Sequence, residues 1–187
     1  MILLGCQPES GKVNETDTPS PASVAASSNN SEATPLLTLD ELLNASDFQA
    51  GIKQSVLNND KASLKDWQDQ LIEVAKEVHL AQRDVNRISG EQGLVFIEFE
   101  AKKRLFNDEF IELFMNFESV DGLIQKYPYL TGVHDRALSL IAARDAAIER
   151  AASMLSEEGV EGDATLKARA QWQDYMINSG RLESLKN

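Results

Sequence analysis

One cysteine and two histidines among 187 residues leave the chain poor in the side chains that fix metals or crosslinks. A lone cysteine cannot close a disulfide within the chain. It also excludes a four-cysteine zinc site and a c-type haem attachment. Positive charge is scarce as well: 18 Lys and Arg stand against 30 Asp and Glu, for a net charge of −12. Such a chain lacks the basic surface that the phosphates of nucleic acid require. It has no apolar run near the ~18 residues that a membrane-crossing helix needs. Glycine-rich phosphate loops are missing, since Gly90 and Gly93 stand alone. No serine occupies a Gly-x-Ser-x-Gly elbow. Lys76 precedes His79 by three residues and Thr131 precedes His134 by three, so neither fits the Glu-x-x-His motif of di-iron bundles. These absences leave no catalytic residue, metal ligand or cofactor to name, and the expected reading is not an enzyme.

What is present is unevenly distributed. Residues 7–35 hold four of the five prolines and no Leu, Ile, Phe, Met, Trp or Tyr. A segment of this kind cannot bury enough apolar area to offset its ordering entropy, so disorder is expected. As a coil it would span about 30 Å. From residue 36 onward the chain holds all seven Phe, both Trp and all three Tyr, with Pro128 its one proline. Ala, Leu, Glu, Lys, Gln and Arg dominate, all good helix formers. A body of this length can bury roughly two-thirds of its unfolded surface.

The chain opens Met1-Ile2-Leu3-Leu4-Gly5-Cys6. An apolar run ending in a small residue is the rear of a secretory signal. Leu3-Leu4-Gly5-Cys6 resembles the lipobox of bacterial lipoproteins. The resemblance implies that Cys6 is acylated and that the peptide is cut after Gly5. Only four residues precede Gly5 and none is charged, so residues 1–5 read as the remnant of a signal peptide. In enterobacterial-type sorting an Asp after the cysteine favours the inner membrane. Gln7 therefore implies an outer-membrane lipoprotein, and a body facing the periplasm is the expectation carried with it, the cell exterior being the open alternative. Residues 6–35 then become the lipidated Cys and its disordered tether.

Heptad-like spacing organises the rest. Thr38-Leu39-Asp40-Glu41 has the form of a capping box that starts a helix to about Asn58, with a break near Ser46-Asp47. Leu64, Trp67, Leu71, Val74, Val78, Ala81, Val85 and Ile88 alternate spacings of three and four and predict one helix over 60–89. Phe96, Phe99, Phe106, Phe110, Leu113, Phe117 and Val120 keep that rhythm over 91–120, with Lys103 interrupting it. Leu94, Val95, Ile97, Leu105, Ile111, Phe114 and Met115 widen the apolar arc, which predicts a central helix. Residues 94–97 also read as a short β-prone strand. A short helix near 121–126 should end before Pro128. Further helices are expected from Thr131 or Asp135 to about Glu158, and from an Asp163 cap to about Asn178. The predicted fold is an all-α, antiparallel bundle of about four main helices plus a shorter leading helix. It spans 36–180, with 60–89 and 91–120 as its spine and 181–187 frayed.

Several polar groups invite a functional reading. Glu98, Glu100, Glu109 and Glu112 resemble paired catalytic carboxylates, but solvated helix flanks give the same pattern. Lys102-Lys103-Arg104 is a basic patch that either meets anionic head groups or pairs with nearby Glu residues. His79 reads as a flank residue, and His134 as a residue with a local hydrogen-bond or turn role. Phe96, Phe99, Phe106, Phe110, Phe114 and Phe117 are either core or a groove for a partner helix or acyl chain. A groove requires some of them to stay exposed. Two functions follow as expectations. One is an envelope adaptor or accessory subunit, held to the membrane through acyl chains on Cys6 and docking an envelope protein. The alternative is a carrier or sensor of a small apolar ligand bound along the Phe-rich helix.

Overall fold

A computed structural model describes residues 37–186. The expected signal remnant over 1–5 and the expected lipidated Cys6 and tether over 6–35 lie outside the described residues. The described chain is an all-α bundle of nine helices with no strand among them.

The N-terminal end follows its local chemistry. α1 (Leu39–Asn44) begins with the capping box: the Glu41 amide donates to Thr38 Oγ1 at 3.2 Å, and the Thr38 amide donates to Glu41 Oε2 at 2.7 Å. Extended Ala45 separates it from α2 (Ser46–Leu57), so two short helices lead the bundle. Asp60 caps α3 (Lys61–Glu77) by accepting the Ser63 amide at 3.0 Å.

The single helix expected over 60–89 is two. α3 stops at Glu77, and α4 (Gln82–Ile88) follows. His79 sits between them at φ 56°, in the left-handed region. The core takes Leu71, Ala75 and Leu80 here, while Ala81, which continues the heptad rhythm, is exposed. Spacing alone could not register the switch, because Ala and Val also tolerate partial exposure.

α5 (Gly90–Asn116) is the central helix that its wide apolar arc predicts, and residues 94–97 are helical. It ends at Asn116, four residues earlier than expected, and is followed by Phe117, whose backbone is left-handed at φ 59°. Its 27 residues span about 40 Å. The N-terminal half, through Ile97 and Ala101, joins a core cluster with Leu42, Leu43, Ile52, Leu64, Leu71 and Ile88. The C-terminal half, through Phe106, Phe110 and Phe114, joins a second cluster with Leu123, Tyr127, Leu130, Ala137 and Met176.

α6 (Asp121–Lys126) ends before Pro128, and α7 (Thr131–Glu157) starts at Thr131. α8 (Ala164–Asn178) is capped by Asp163, which accepts the Thr165 and Leu166 amides at 2.9 and 3.1 Å. Residues 181–186 do not fray, against the frayed end expected over 181–187. Arg181–Lys186 form α9, Leu182 and Leu185 pack on the second core cluster, and Asn107 Nδ2 donates to the Leu185 carbonyl at 2.7 Å. Two leucines three apart are enough to hold one helical turn against α5.

Among the described residues, no helix is long and apolar enough to cross a membrane.

Candidate functional site

The six phenylalanines singled out by spacing do not form one surface. Phe106, Phe110 and Phe114 are buried in the second core cluster, ring against ring at 6.1 and 5.2 Å. Phe96 is half-buried beneath the Arg87 guanidinium, 4.2 Å from the ring centre. Phe117 is half-buried between Arg144 and Arg169, each 4.9 Å from its centre. Phe99 alone of the six is exposed, at 41%.

Phe99 lies in a cleft of about 520 Å³ where three segments meet. The end of α2 supplies Val56 and Leu57. α5 supplies Val95, Phe99 and Leu105, and the α6–α7 connection supplies Tyr127 to Leu130. Leu57, Val95 and Tyr129 stand 54%, 66% and 82% exposed around it. Pro128 builds this wall: it ends α6 and carries the Tyr129 ring out on the connection. Leu57 and Tyr129 escape a sequence reading because they come from element ends, where periodicity says nothing.

The charges on the cleft's rim are already paired. Lys102 Nζ donates to Glu98 at 2.6 Å. Lys126 Nζ donates to both Glu109 oxygens at 2.7 and 2.8 Å, and the Tyr127 hydroxyl donates to the same carboxylate at 2.7 Å. Burial first, and then the Glu109 carboxylate, hold the Tyr127 phenol above its ordinary value. The hydrogen bond to Glu109 holds the Lys126 ammonium up likewise.

The other polar candidates have structural partners. Lys103 pairs with Glu100 at 3.0 Å, and Arg104 donates to Asn44 Oδ1 at 3.0 Å. The basic patch is therefore tied to neighbouring side chains. Glu112 is exposed on α5. His79 makes the turn that ends α3. His134 is buried against Phe106 at 5.4 Å, and its Nε2 has no hydrogen-bond partner. Its side chain therefore sits in the packed core, and not in the local hydrogen-bond or turn role that its neighbours Asp135 and Arg136 suggest. No group of three or more His, Cys, Asp or Glu that could hold a metal ion occurs among the described residues.

Sequence reasoning missed two buried polar anchors. Gln68 Nε2 donates to the Ile88 and Gly90 carbonyls, both at 2.7 Å, and so holds the α4–α5 corner. Arg144 Nη1 donates to the Phe114 carbonyl at 2.7 Å, inside the last turn of α5. Both occupy positions where solvated side chains are the norm, and only the tertiary fold reveals them.

Comparison with known proteins finds no matching family model, no matching curated protein and no matching solved structure.

Proposed function

We propose that this chain is a lipid-anchored adaptor of the bacterial envelope, held by acyl chains on Cys6 and docking a partner protein in the cleft beside Phe99. One observation carries the docking half of this reading. Four large apolar side chains, Leu57, Val95, Phe99 and Tyr129, stand exposed around a single cleft. Contiguous exposed apolar area rimmed by polar groups is characteristic of interaction sites. Because Lys102 and Lys126 are already neutralised by Glu98 and Glu109, the cleft offers apolar area more than charge. It runs along α5 from Val95 to Leu105, about 15 Å, which matches about three turns of an amphipathic partner helix. Acylation would add about 0.8 kcal/mol of anchoring per buried methylene, and tethering would raise the local concentration of the cleft for nearby partners.

The two halves are tested separately. Cys6→Ser should release the protein from the membrane fraction and abolish acyl labelling; unchanged fractionation would refute the anchor. A photo-crosslinking residue at Tyr129 should trap one defined envelope protein, and Phe99→Glu should erase that adduct without lowering the melting temperature. If native mass spectrometry instead finds a small apolar ligand co-purifying, and Phe99→Glu removes it, the cleft belongs to a carrier and the adaptor reading falls.

A further inference from the structure

α8 presents a second apolar strip, away from the cleft. Its inward side is fixed by its contacts. Ala168 and Met176 are buried, the Arg169 guanidinium lies over Phe117, and Gln173 Nε2 donates to the Met115 carbonyl at 2.8 Å. Leu166 and Ile177 are left 61% and 58% exposed, with Ala170 exposed between them. At about 100° per residue, these three positions fall within roughly 40° of one another on the helix surface. Lys167 and Asp174, seven residues apart, share the next flank out toward solvent. Lys167 Nζ donates to the Glu161 carbonyl and to no carboxylate. Asp174 has no ion pair among the described residues.

The strip reads nearly the same in both directions. Leu166 and Ile177 are equally far from a midpoint between Gln171 and Trp172. If a second α8 is turned end for end about that midpoint, its Ile177 falls opposite Leu166. Antiparallel packing sets equal flanks against each other, so Lys167 of each copy then comes near Asp174 of the other. Twofold symmetry makes that pairing occur twice.

We infer that α8 is a self-association surface: two copies of this chain pack α8 on α8, antiparallel, with Leu166, Ala170 and Ile177 at the centre and two Lys167–Asp174 pairs at one edge. The charge pattern selects the occupant, because the flank that each copy presents is complementary to itself when reversed. α8 has 15 residues and is about 22 Å long. One helix pair of that length covers less than the ~800 Å² per partner of a standard stable complex. The association is therefore weak and concentration-dependent. It needs neither the lipid nor the Phe99 cleft, so it can fail while the adaptor reading stands, and the reverse.

Analytical ultracentrifugation of the full-length chain under reducing conditions tests it. The weight-average mass should rise above 20.7 kDa as concentration climbs from about ten to several hundred micromolar. Ile177→Glu should hold the protein monomeric across that range. If that variant melts early, Leu166→Gln gives the same reading from the other end of the strip. Lys167→Glu and Asp174→Lys should each weaken association by about tenfold, and the double exchange should restore it. Global charge repulsion predicts otherwise. Lys167→Glu makes the chain more acidic and Asp174→Lys makes it less acidic, so repulsion alone would have the second variant associate more tightly. A wild-type chain that stays monomeric, an Asp174→Lys variant that tightens, or a double exchange that fails to restore association would each overturn the inference.

Discussion

Glycine supplies the closest approaches in this fold, and two positions show different kinds of constraint. A Cβ on Gly93 would lie 2.1 Å from the Ile88 carbonyl carbon, and one on Gly51 would lie 2.1 Å from Trp67 Cε2. Backbone cannot step aside at the α4–α5 corner, whereas the half-buried indole can turn at some loss of its edge contact with Phe48. Gly93→Ala should therefore cost about 3 kcal/mol and Gly51→Ala about 1–2 kcal/mol, read from urea unfolding. Arg144 presents the opposite problem, a charge placed inside. Its side chain is 5% exposed, donates to Asp145 at 2.8 Å and to the Phe114 carbonyl at 2.7 Å, and lies over the Phe114 and Phe117 rings. Arg144→Ala leaves that carbonyl unpaired and opens a cavity, and should destabilise the protein by about 3 kcal/mol in the same assay. Arg144→Lys should recover less than half of this, because a point-like ammonium has no planar face to lie over the two rings while a rigid fork donates from its edge.

At the scale of the element, helix starts were more legible than helix ends. Thr38 and Asp163 cap the helices that their residue types announced, and Asp60 caps α3 at the start that the spacing placed there, because a side-chain cap is a local bond. The end of α3 was invisible. Nothing from Val74 to Ile88 is a glycine or proline, and the chain turns at His79 only because Leu80, and not Ala81, reaches the core. A non-glycine residue held left-handed costs roughly 1–2 kcal/mol. His79 is exposed, so His79→Gly should relieve part of that strain and raise stability by about 0.5–1 kcal/mol in thermal or urea denaturation. No gain would mean that the imidazole has a partner at this turn. The Phe stripe shows the same limit of a one-dimensional pattern. Spacing identified a buried helix, but it could not say that Phe106, Phe110 and Phe114 face the core while Phe99 faces out. That division depends on where α6, α7 and the 127–130 connection lie. The candidate cleft was legible only through Phe99, since Leu57 and Tyr129 belong to it by tertiary placement.

At the scale of the whole body, Glu109 fastens the second half of the core. Lys126 and Tyr127 end α6, 17 and 18 residues along the chain from Glu109 on α5, and both donate to its carboxylate. The arrangement couples stability to alkaline pH, and the sign follows from the two directions. Both groups bind their protons more tightly when folded than at their ordinary values of 10.0 for the Tyr127 phenol and 10.5 for the Lys126 ammonium. Their contribution is complete below those ordinary values and is lost as pH rises through the higher folded ones. Unfolding free energy should therefore hold level up to about pH 10 and then fall. Tyr127→Phe keeps the ring against Phe106 but deletes the phenol proton. This variant should start slightly less stable at pH 8 and lose less between pH 10 and 11.5, so that the two curves converge. Parallel curves would show that the phenol titrates alike in the folded and unfolded chain, and that Glu109 holds α6 through Lys126 alone.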